Sequence, residues 1–398
     1  MNRLKLIAVA IAVSFMGTAF AQDEEPQNEG YNFTVVKEVK TTDVRNQSRS
    51  STCWSFSGLA MIETELLRIG KPAINLSEMY IVRHTHSEKA EKYVRLHGNI
   101  NFSGGGAFYD VIETITKYGI VPEEVYPGLN YGEDIHVHSE LDAIATAYVE
   151  AVVKNPNRKL SAAWKVGYEA VLDAYLGKRP EKFTWEGKEY TPKSFAQSLG
   201  LNFDDYVYVT SFTHHPFYSN FIIEIPDNWA WGSVYNLPLD EFAQIFDYAI
   251  DNGYSVAWAS DISEKGFSYQ NGVAVVPEVN LAEMTDSEKL KWTELSPREK
   301  DAMLYKFNGP GLEKKITQEM RQEAFDNYQT TDDHGMLIVG IAKDQKGNKY
   351  YKVKNSWGTS DKYNGYFYAS EAFVLYKTMS IMVHKNAIPK EIAKKLKL

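Results

Sequence analysis

The apolar residues of this chain change period part-way along it. As far as about residue 204 they recur at helical spacing, and from about 205 they gather into short β-branched and aromatic runs bounded by Gly, Pro and Asn. Helices and strands segregated in this way do not build alternating β–α–β units. They predict an α+β fold, a helical lobe set against a β-rich one. Cys53-Trp54-Ser55-Phe56 opens a helix that Ser51 and Thr52 can cap and that Gly70 and Pro72 stop. Ser77 caps a second helix over SEMYIVRHT, and the turn Ser103–Gly106 leads into a third, AFYDVIETITKY, ended by Gly119. Residues 134–178 read as amphipathic helices with no chemistry evident on them, and TPKSFAQSLGL as one more short helix. YVYVTSF, NFIIEIP, YSVAWASD, HGMLIVGIA, KYYKVKNSW and YFYAS read as strands, with a helix over LDEFAQIFDYAIDNG among them; residues 34–39 read as an edge strand. The expected layout is a polar linker at 22–30, a helical lobe at about 45–130, a helical insertion at about 131–204, a β-rich lobe at about 205–385 and a short basic tail at 386–398.

The first residues read as an export signal. Arg3 and Lys5 precede an uncharged apolar run, and Ala19-Phe20-Ala21 makes a small-x-small cleavage site, so residues 1–21 are expected to be removed. That run is short for a membrane span and no later one is longer, which predicts a soluble exported protein, periplasmic or extracellular. The formal net charge is −9, and −9 − 2 = −11 without Arg3 and Lys5. Such a chain has little attraction for phosphate backbones, so a nucleic-acid partner is not expected. The lysine-rich end KEIAKKLKL reads as a solvated helix end. Cys53 is the one cysteine, which excludes an intrachain disulfide.

A lone cysteine can be a buried structural residue. Its position at a helix start points to a nucleophile, because free N–H groups and the helix dipole favour a thiolate there. Trp54 can shield one side of it and is expected to line the substrate site. Gln47, in the loop feeding the helix, can offer its side-chain amide to a developing oxyanion, together with the Cys53 N–H. A base is then needed. Among nine histidines, the pairs His84/His86, His136/His138 and His214/His215 have no further metal ligands at useful spacing, so no metal site is expected; His97 and His384 stand alone. His334 follows Asp332-Asp333 and opens a strand, which can hold its ring rigidly. About twenty residues on, Asn355 can orient that ring and Trp357 can cover the hydrogen bond from water. Cys53, His334 and Asn355 are thus nucleophile, base and orienter of a thiol triad.

Q-x5-C-W-S-F, D-H-G-M before a strand, and K-N-S-W-G together resemble the papain superfamily of cysteine peptidases. LSEMY and SGGGAFYDVIETITKYGIVPEEVYPG are similar to further segments of that family, and the resemblance implies that Gly105 and Gly106 lie along the peptide-binding cleft. There, lacking a Cβ, they would let an extended substrate hydrogen-bond to the backbone. NQSRSSTCW, the insertion, LPLDEFAQIFDYAIDNGYSVAWASDIS and the closing segment NGYFYASEAFVLYKTMSIMVHKNAIPKEI resemble the bleomycin hydrolase and aminopeptidase C branch. That branch implies an aminopeptidase whose own C-terminus restricts the cleft, and a hexameric barrel. Here the tail ends soon after Ile388-Pro389 as AKKLKL. It reads as too short to reach the cleft, which leaves endopeptidase activity and the oligomeric state open.

The resemblance implies hydrolysis of peptide or protein substrates through an acyl-enzyme, with Cys53 attacking as a thiolate beside a His334 imidazolium, and with no metal or organic cofactor. Two other readings of the same residues stay open: a non-catalytic peptide-binding protein, and an acyl-transferring amidase or ligase.

Overall fold

A computed structural model of the chain describes residues 30–398, so the expected leader at 1–21 and residues 22–29 of the linker lie outside the described residues. The helical periodicity of the first half is realised as α1 (Cys53–Arg68), α2 (Glu78–Arg95), α3 (Phe108–Tyr118), α4 (Ser139–Val153), α5 (Ala163–Leu176) and α6 (Pro192–Ser198). The Ser77 side chain accepts the Tyr80 N–H at 3.0 Å, and Gly119, at φ +87°, ends α3. Later come α7 (Leu239–Asp251), α8 (Asp286–Glu294), α9 (Pro297–Leu304), α10 (Gln318–Asp326), α11 (Glu371–Lys377) and α12 (Lys390–Leu396).

The strands are β1 (Phe33–Glu38), the hairpin β2 (Phe183–Trp185) and β3 (Lys188–Tyr190), and then β4 (Tyr206–Thr210), β5 (Asn220–Ile222) and β6 (Ser233–Asn236). After α7 follow β7 (Val256–Ser260), β8 (Phe267–Ser268), β9 (Val273–Ala274), β10 (His334–Asp344), β11 (Lys349–Lys354), β12 (Tyr366–Ser370) and β13 (Thr378–His384). All but the hairpin form one sheet in the order β5-β6-β4-β13-β7-β10-β11-β12-β9-β8, with β1 paired to β10. Strand β10 is the spine. Its first half pairs antiparallel with β7, His334 opposite Ser260, and its second half pairs with β1. On its other side it pairs with β11, Leu337 opposite Lys354, a register that brings Asn355 back toward His334.

Helix α1 lies between the lobes. Phe56, Leu59 and Ile62 on it, Val111 on α3, and Trp258, Met336 and Ile338 on the sheet belong to one buried apolar cluster. Burying one such side chain is worth about 1.5–3 kcal/mol, so the core also fixes how the lobes meet. Gly335 carries the closest approach: a Cβ there would stand 2.8 Å from Ser57 Oγ and 3.3 Å from Trp54 Cα. The strand bearing His334 therefore lies directly against the first turn of the helix bearing Cys53.

The inserted helices α4 and α5 bury Leu141, Ala145, Val149, Tyr168, Leu172 and Leu176. Arg83 of α2, itself buried, ties α5 down through ion pairs to Glu169 (2.7 Å) and Asp173 (2.6 Å). The tail is a docked helix, where a solvated end was expected. Ile392 and Leu396 of α12 are buried, Lys395 pairs with Glu241 at 2.5 Å, and the Leu398 N–H returns to the Ala393 carbonyl at 3.0 Å. No helix among the described residues is long and apolar enough to cross a membrane.

Candidate active site

Cys53 is the first residue of α1 and is partly exposed. Thr52 occupies the N-cap position, but its side chain does not cap; it bonds Ser50 Oγ at 2.5 Å. The expected hydroxyl cap is therefore absent, and the Cys53 N–H has no protein acceptor among the described residues. Beside it, Gln47 is held twice by Ser356: its N–H donates to the Ser356 carbonyl at 2.8 Å, and its Oε1 accepts from Ser356 Oγ at 2.6 Å. That leaves the Gln47 NH₂ group for the cleft, whose wall Gln47 shares with Cys53 and His334.

The hydrogen bonds fix the tautomer of His334. Asn355 Oδ1 lies 2.7 Å from His334 Nε2 and 2.8 Å from the backbone nitrogen of Ser356. A backbone N–H can only donate, so the amide atom facing both groups is the oxygen, and Nε2 must carry the proton. Nδ1 is then the basic nitrogen. The Trp357 indole lies over the ring with centroids 4.9 Å apart, and is itself propped by Tyr269 at 4.8 Å. Asn355 Nδ2 is left buried with no acceptor among the described residues.

The electrostatics depart from the expected thiolate–imidazolium pair. Burial pushes the Cys53 thiol up to about 12; the Gly335 and Trp54 N–H groups pull it down, while the charges of Asp332 and Asp227 push it further up. Burial pulls His334 down to about 4, against the Asn355 hydrogen bond and the Asp333 charge. The helix terminus does favour the thiolate, but desolvation outweighs it. Both shifts work against a charged pair in the resting cleft.

The cleft has a volume of about 820 Å³ and one of its walls is α4, through Asp142, Thr146 and Glu150. The insertion, which showed no chemistry in its sequence, therefore shapes the site. The Gly105 side also differs from expectation. Its N–H donates to Ser103 Oγ at 3.3 Å, and its carbonyl accepts from the buried Lys89 Nζ, which also bonds the Ser103 carbonyl at 2.9 Å. The Gly105 N–H is thus engaged within the protein, while its carbonyl keeps a second lone pair toward which an extended peptide could donate. Gly106 keeps its backbone groups, and its Cα packs against Trp54, whose Cε2 would lie 2.8 Å from an added Cβ. Trp54 was expected to meet substrate, but it is buried beneath this segment and donates from Nε1 to the Gly104 carbonyl at 3.1 Å. A recess of about 30 Å³, lined by Cys53, Gly106, Ile225, Asp227 and Asp332, continues the cleft on this side. It has room for a water molecule or a small group. Burial and the carboxylates of Asp227, Asp333 and Asp261 push Asp332 up to about 8. Lys89 and Asp227 carried no local sequence signal, and only the fold brings them to the cleft; Ser356 lies within the K-N-S-W-G motif, but its bond to Gln47 is set by the fold.

His84, His86, His136 and His138 are buried and do not line the cleft, and desolvation lowers all four. His214 and His215 have a third partner after all. The chain turns back so that their Nε2 atoms meet the two oxygens of Glu224 at 3.0 and 2.9 Å, a residue the sequence spacing did not single out.

The chain belongs to the Peptidase C1-like family, which it matches over residues 2–293 and 299–398. It is 22% identical over 427 residues to an aminopeptidase C of Streptococcus thermophilus, covering 96% of this chain and 89% of that one. To an aminopeptidase G of Lactobacillus delbrueckii subsp. lactis it is 23% identical over 399 residues, with 89% and 83% covered. Among solved structures, PepW of Lactobacillus rhamnosis HN001 is similar with a TM-score of 0.69 at 22% identity, over 92% of this chain and 84% of that one. The resemblance to the papain superfamily, in its bleomycin hydrolase and aminopeptidase C branch, holds, as does the α+β papain-like class. The chain is a cysteine-type peptidase.

Proposed function

We propose that this Peptidase C1-like chain is an exported peptidase that hydrolyses peptide bonds through a thioester on Cys53. The observation that carries the reading is the His334 ring: Nε2 donates to Asn355, and the basic Nδ1 is left for the cleft it shares with Cys53. Cys53 Sγ attacks the scissile carbonyl carbon as its proton passes to His334 Nδ1. The carbonyl oxygen becomes an oxyanion, received by the Cys53 N–H and the Gln47 amide; one such donor is worth about 3 kcal/mol of barrier. On collapse the C–N bond breaks and the His334 proton goes to the leaving amine. Water then adds to the thioester while His334 takes its proton, and the proton returns to sulfur as the acid leaves. Asn355 keeps the ring in plane throughout, and Trp357 shields that bond.

Hydrolysis of aminoacyl-coumarin amides by the purified protein tests the reading. Cys53→Ala is expected to lower the rate at least a thousandfold with the fold intact. Retention of activity in that variant would refute it. The acid product, identified by mass, separates hydrolysis from acyl transfer, and turnover itself separates both from a binding protein. Export predicts a mature N-terminus near Gln22, read by sequencing the processed protein.

A further inference from the structure

Neighbouring residues of an extended chain point their side chains to opposite sides. His214 and His215, in the loop after β4, do not. Their ring centroids lie 4.7 Å apart, and both Nε2 atoms meet one carboxylate, His214 at 3.0 Å from Glu224 Oε2 and His215 at 2.9 Å from Oε1. The surrounding residues hold this convergence in place. Phe221 of β5 stacks on the His215 ring at 4.2 Å, and Phe325 of α10 stacks on His214 at 5.4 Å. The buried Asn236 amide fixes the loop, donating to the Phe212 and His215 carbonyls at 2.7 and 2.9 Å and accepting the Phe212 N–H at 2.9 Å. Gln322 stands at the other nitrogen of His214. Its Oε1 accepts the Thr213 N–H at 2.5 Å, and its Nε2 and Oε1 lie 3.2 and 3.5 Å from Nδ1, so the amide can serve that ring in either tautomer. Burial pushes the Glu224 carboxyl up, but the hydrogen bonds from His215 and His214 outweigh it and hold it below its usual range. An exposed histidine–carboxylate pair stabilises a fold little, and it gives no reason for a second imidazole on the same carboxylate.

We propose that His214, His215 and Glu224 form a binding site for one divalent transition-metal ion of the zinc class, outside the catalytic cleft. Their ligand atoms all lie within 4.8 Å of one another. Around zinc at about 2.0–2.1 Å, tetrahedral neighbours stand roughly 3.3 Å apart, so the present N–O separations need open only slightly to admit the ion. Two imidazoles and one carboxylate suit zinc, whereas magnesium and calcium take oxygen ligands. On binding, each ring gives Nε2 to the ion and carries its proton on Nδ1; at His214 that proton faces Gln322 Oε1. His214 and Glu224 are exposed, so the ion enters from solvent and water completes its shell. None of the three ligands lines the cleft, but Ile225 and Asp227, just after Glu224, line the recess beside Cys53. The ion therefore ties the segment leading into that wall to the loop after β4.

The test is calorimetric titration with zinc sulfate of the full chain, untagged and carrying Cys53→Ala so that the thiol cannot take the ion. One ion per chain is expected, with a Kd of roughly 1–10 μM near neutral pH. The thermal midpoint should rise by about 2–5 °C at a hundredfold excess over Kd, and magnesium chloride should do neither. His215→Ala and Glu224→Gln, each added to that chain, should weaken zinc binding at least about tenfold. Glu224→Gln keeps the shape of the side chain, and metal-free midpoints report the folding of both variants. Amide exchange across residues 212–224 should slow when zinc is added. No zinc uptake, equal uptake of magnesium, or undiminished zinc affinity in both variants would overturn the site. So would protection by zinc that falls elsewhere in the chain and spares residues 212–224.

Discussion

Ser356 touches no reacting atom in this arrangement, yet its loss should slow the reaction by way of Gln47. Its hydroxyl donates to Gln47 Oε1 at 2.6 Å with both residues buried, and this turns the amide NH₂ toward the cleft. In Ser356→Ala the oxygen loses its donor. One buried hydrogen bond of this kind is worth about 1 kcal/mol, roughly fivefold in the preference between the two amide orientations. Without it the orientations become nearly equal in energy and the amide is free to rock. A drop of roughly twofold to tenfold in kcat/KM should follow, with KM nearly constant, against about a hundredfold for Gln47→Ala, which removes the donor outright. The decisive measurement is the double variant. Since Ser356 acts through Gln47, Ser356→Ala should cost almost nothing further in a Gln47→Ala background. Additive losses, or a Ser356→Ala defect as deep as that of Gln47→Ala, would show that the amide is oriented by something else. The backbone hydrogen bond from Gln47 to the Ser356 carbonyl survives the substitution, so the fold should lose only about 1 kcal/mol in urea unfolding.

Two further outcomes are expected. The base is neutral His334, lowered by burial to about 4, so activity should persist through weakly acidic pH and be lost as pH falls through about 4; an acid limb near the ordinary histidine value of 6.5 would contradict this. Gly119→Ala should destabilise the fold by about 3 kcal/mol in urea without changing KM, because φ is +87° and an added Cβ would overlap the Pro192 carbonyl; an unchanged midpoint would contradict the close packing.

The legible parts of the chain were those where chemistry and local pattern coincide. Ser77 caps α2, Gly119 ends α3, and the aromatic and β-branched run in KYYKVK gives β11, each within reach of a few neighbouring residues. The company around His334 was also legible, because Asn355 and Trp357 lie on the very next strand and turn, whose register with β10 returns them to the ring. Helices α8 and α9 went unread for a physical reason: neither buries a residue, so no apolar stripe marks them. Their capping boxes, Thr285 with Glu288 and Ser296 with Glu299, were the signal available. Thr52 misled in the opposite direction, being a good cap by type whose hydroxyl is diverted to Ser50. The roles of Gly105 and Trp54 depended on Lys89 and on the depth of the indole, and both are set by packing across more than ten positions of sequence.

Two features of the site pull the nucleophile in opposite directions. Burial first, and then the charges of Asp332 and Asp227, push the Cys53 thiol up, while the Gly335 and Trp54 N–H groups pull it down, so the helix terminus alone does not ionise the nucleophile. In the proposed reaction the proton must then leave sulfur as the scissile carbonyl carbon is attacked, and the acceptor must already face the cleft with a free lone pair. The hydrogen bond from His334 Nε2 to Asn355 supplies that condition by fixing the proton on the far nitrogen.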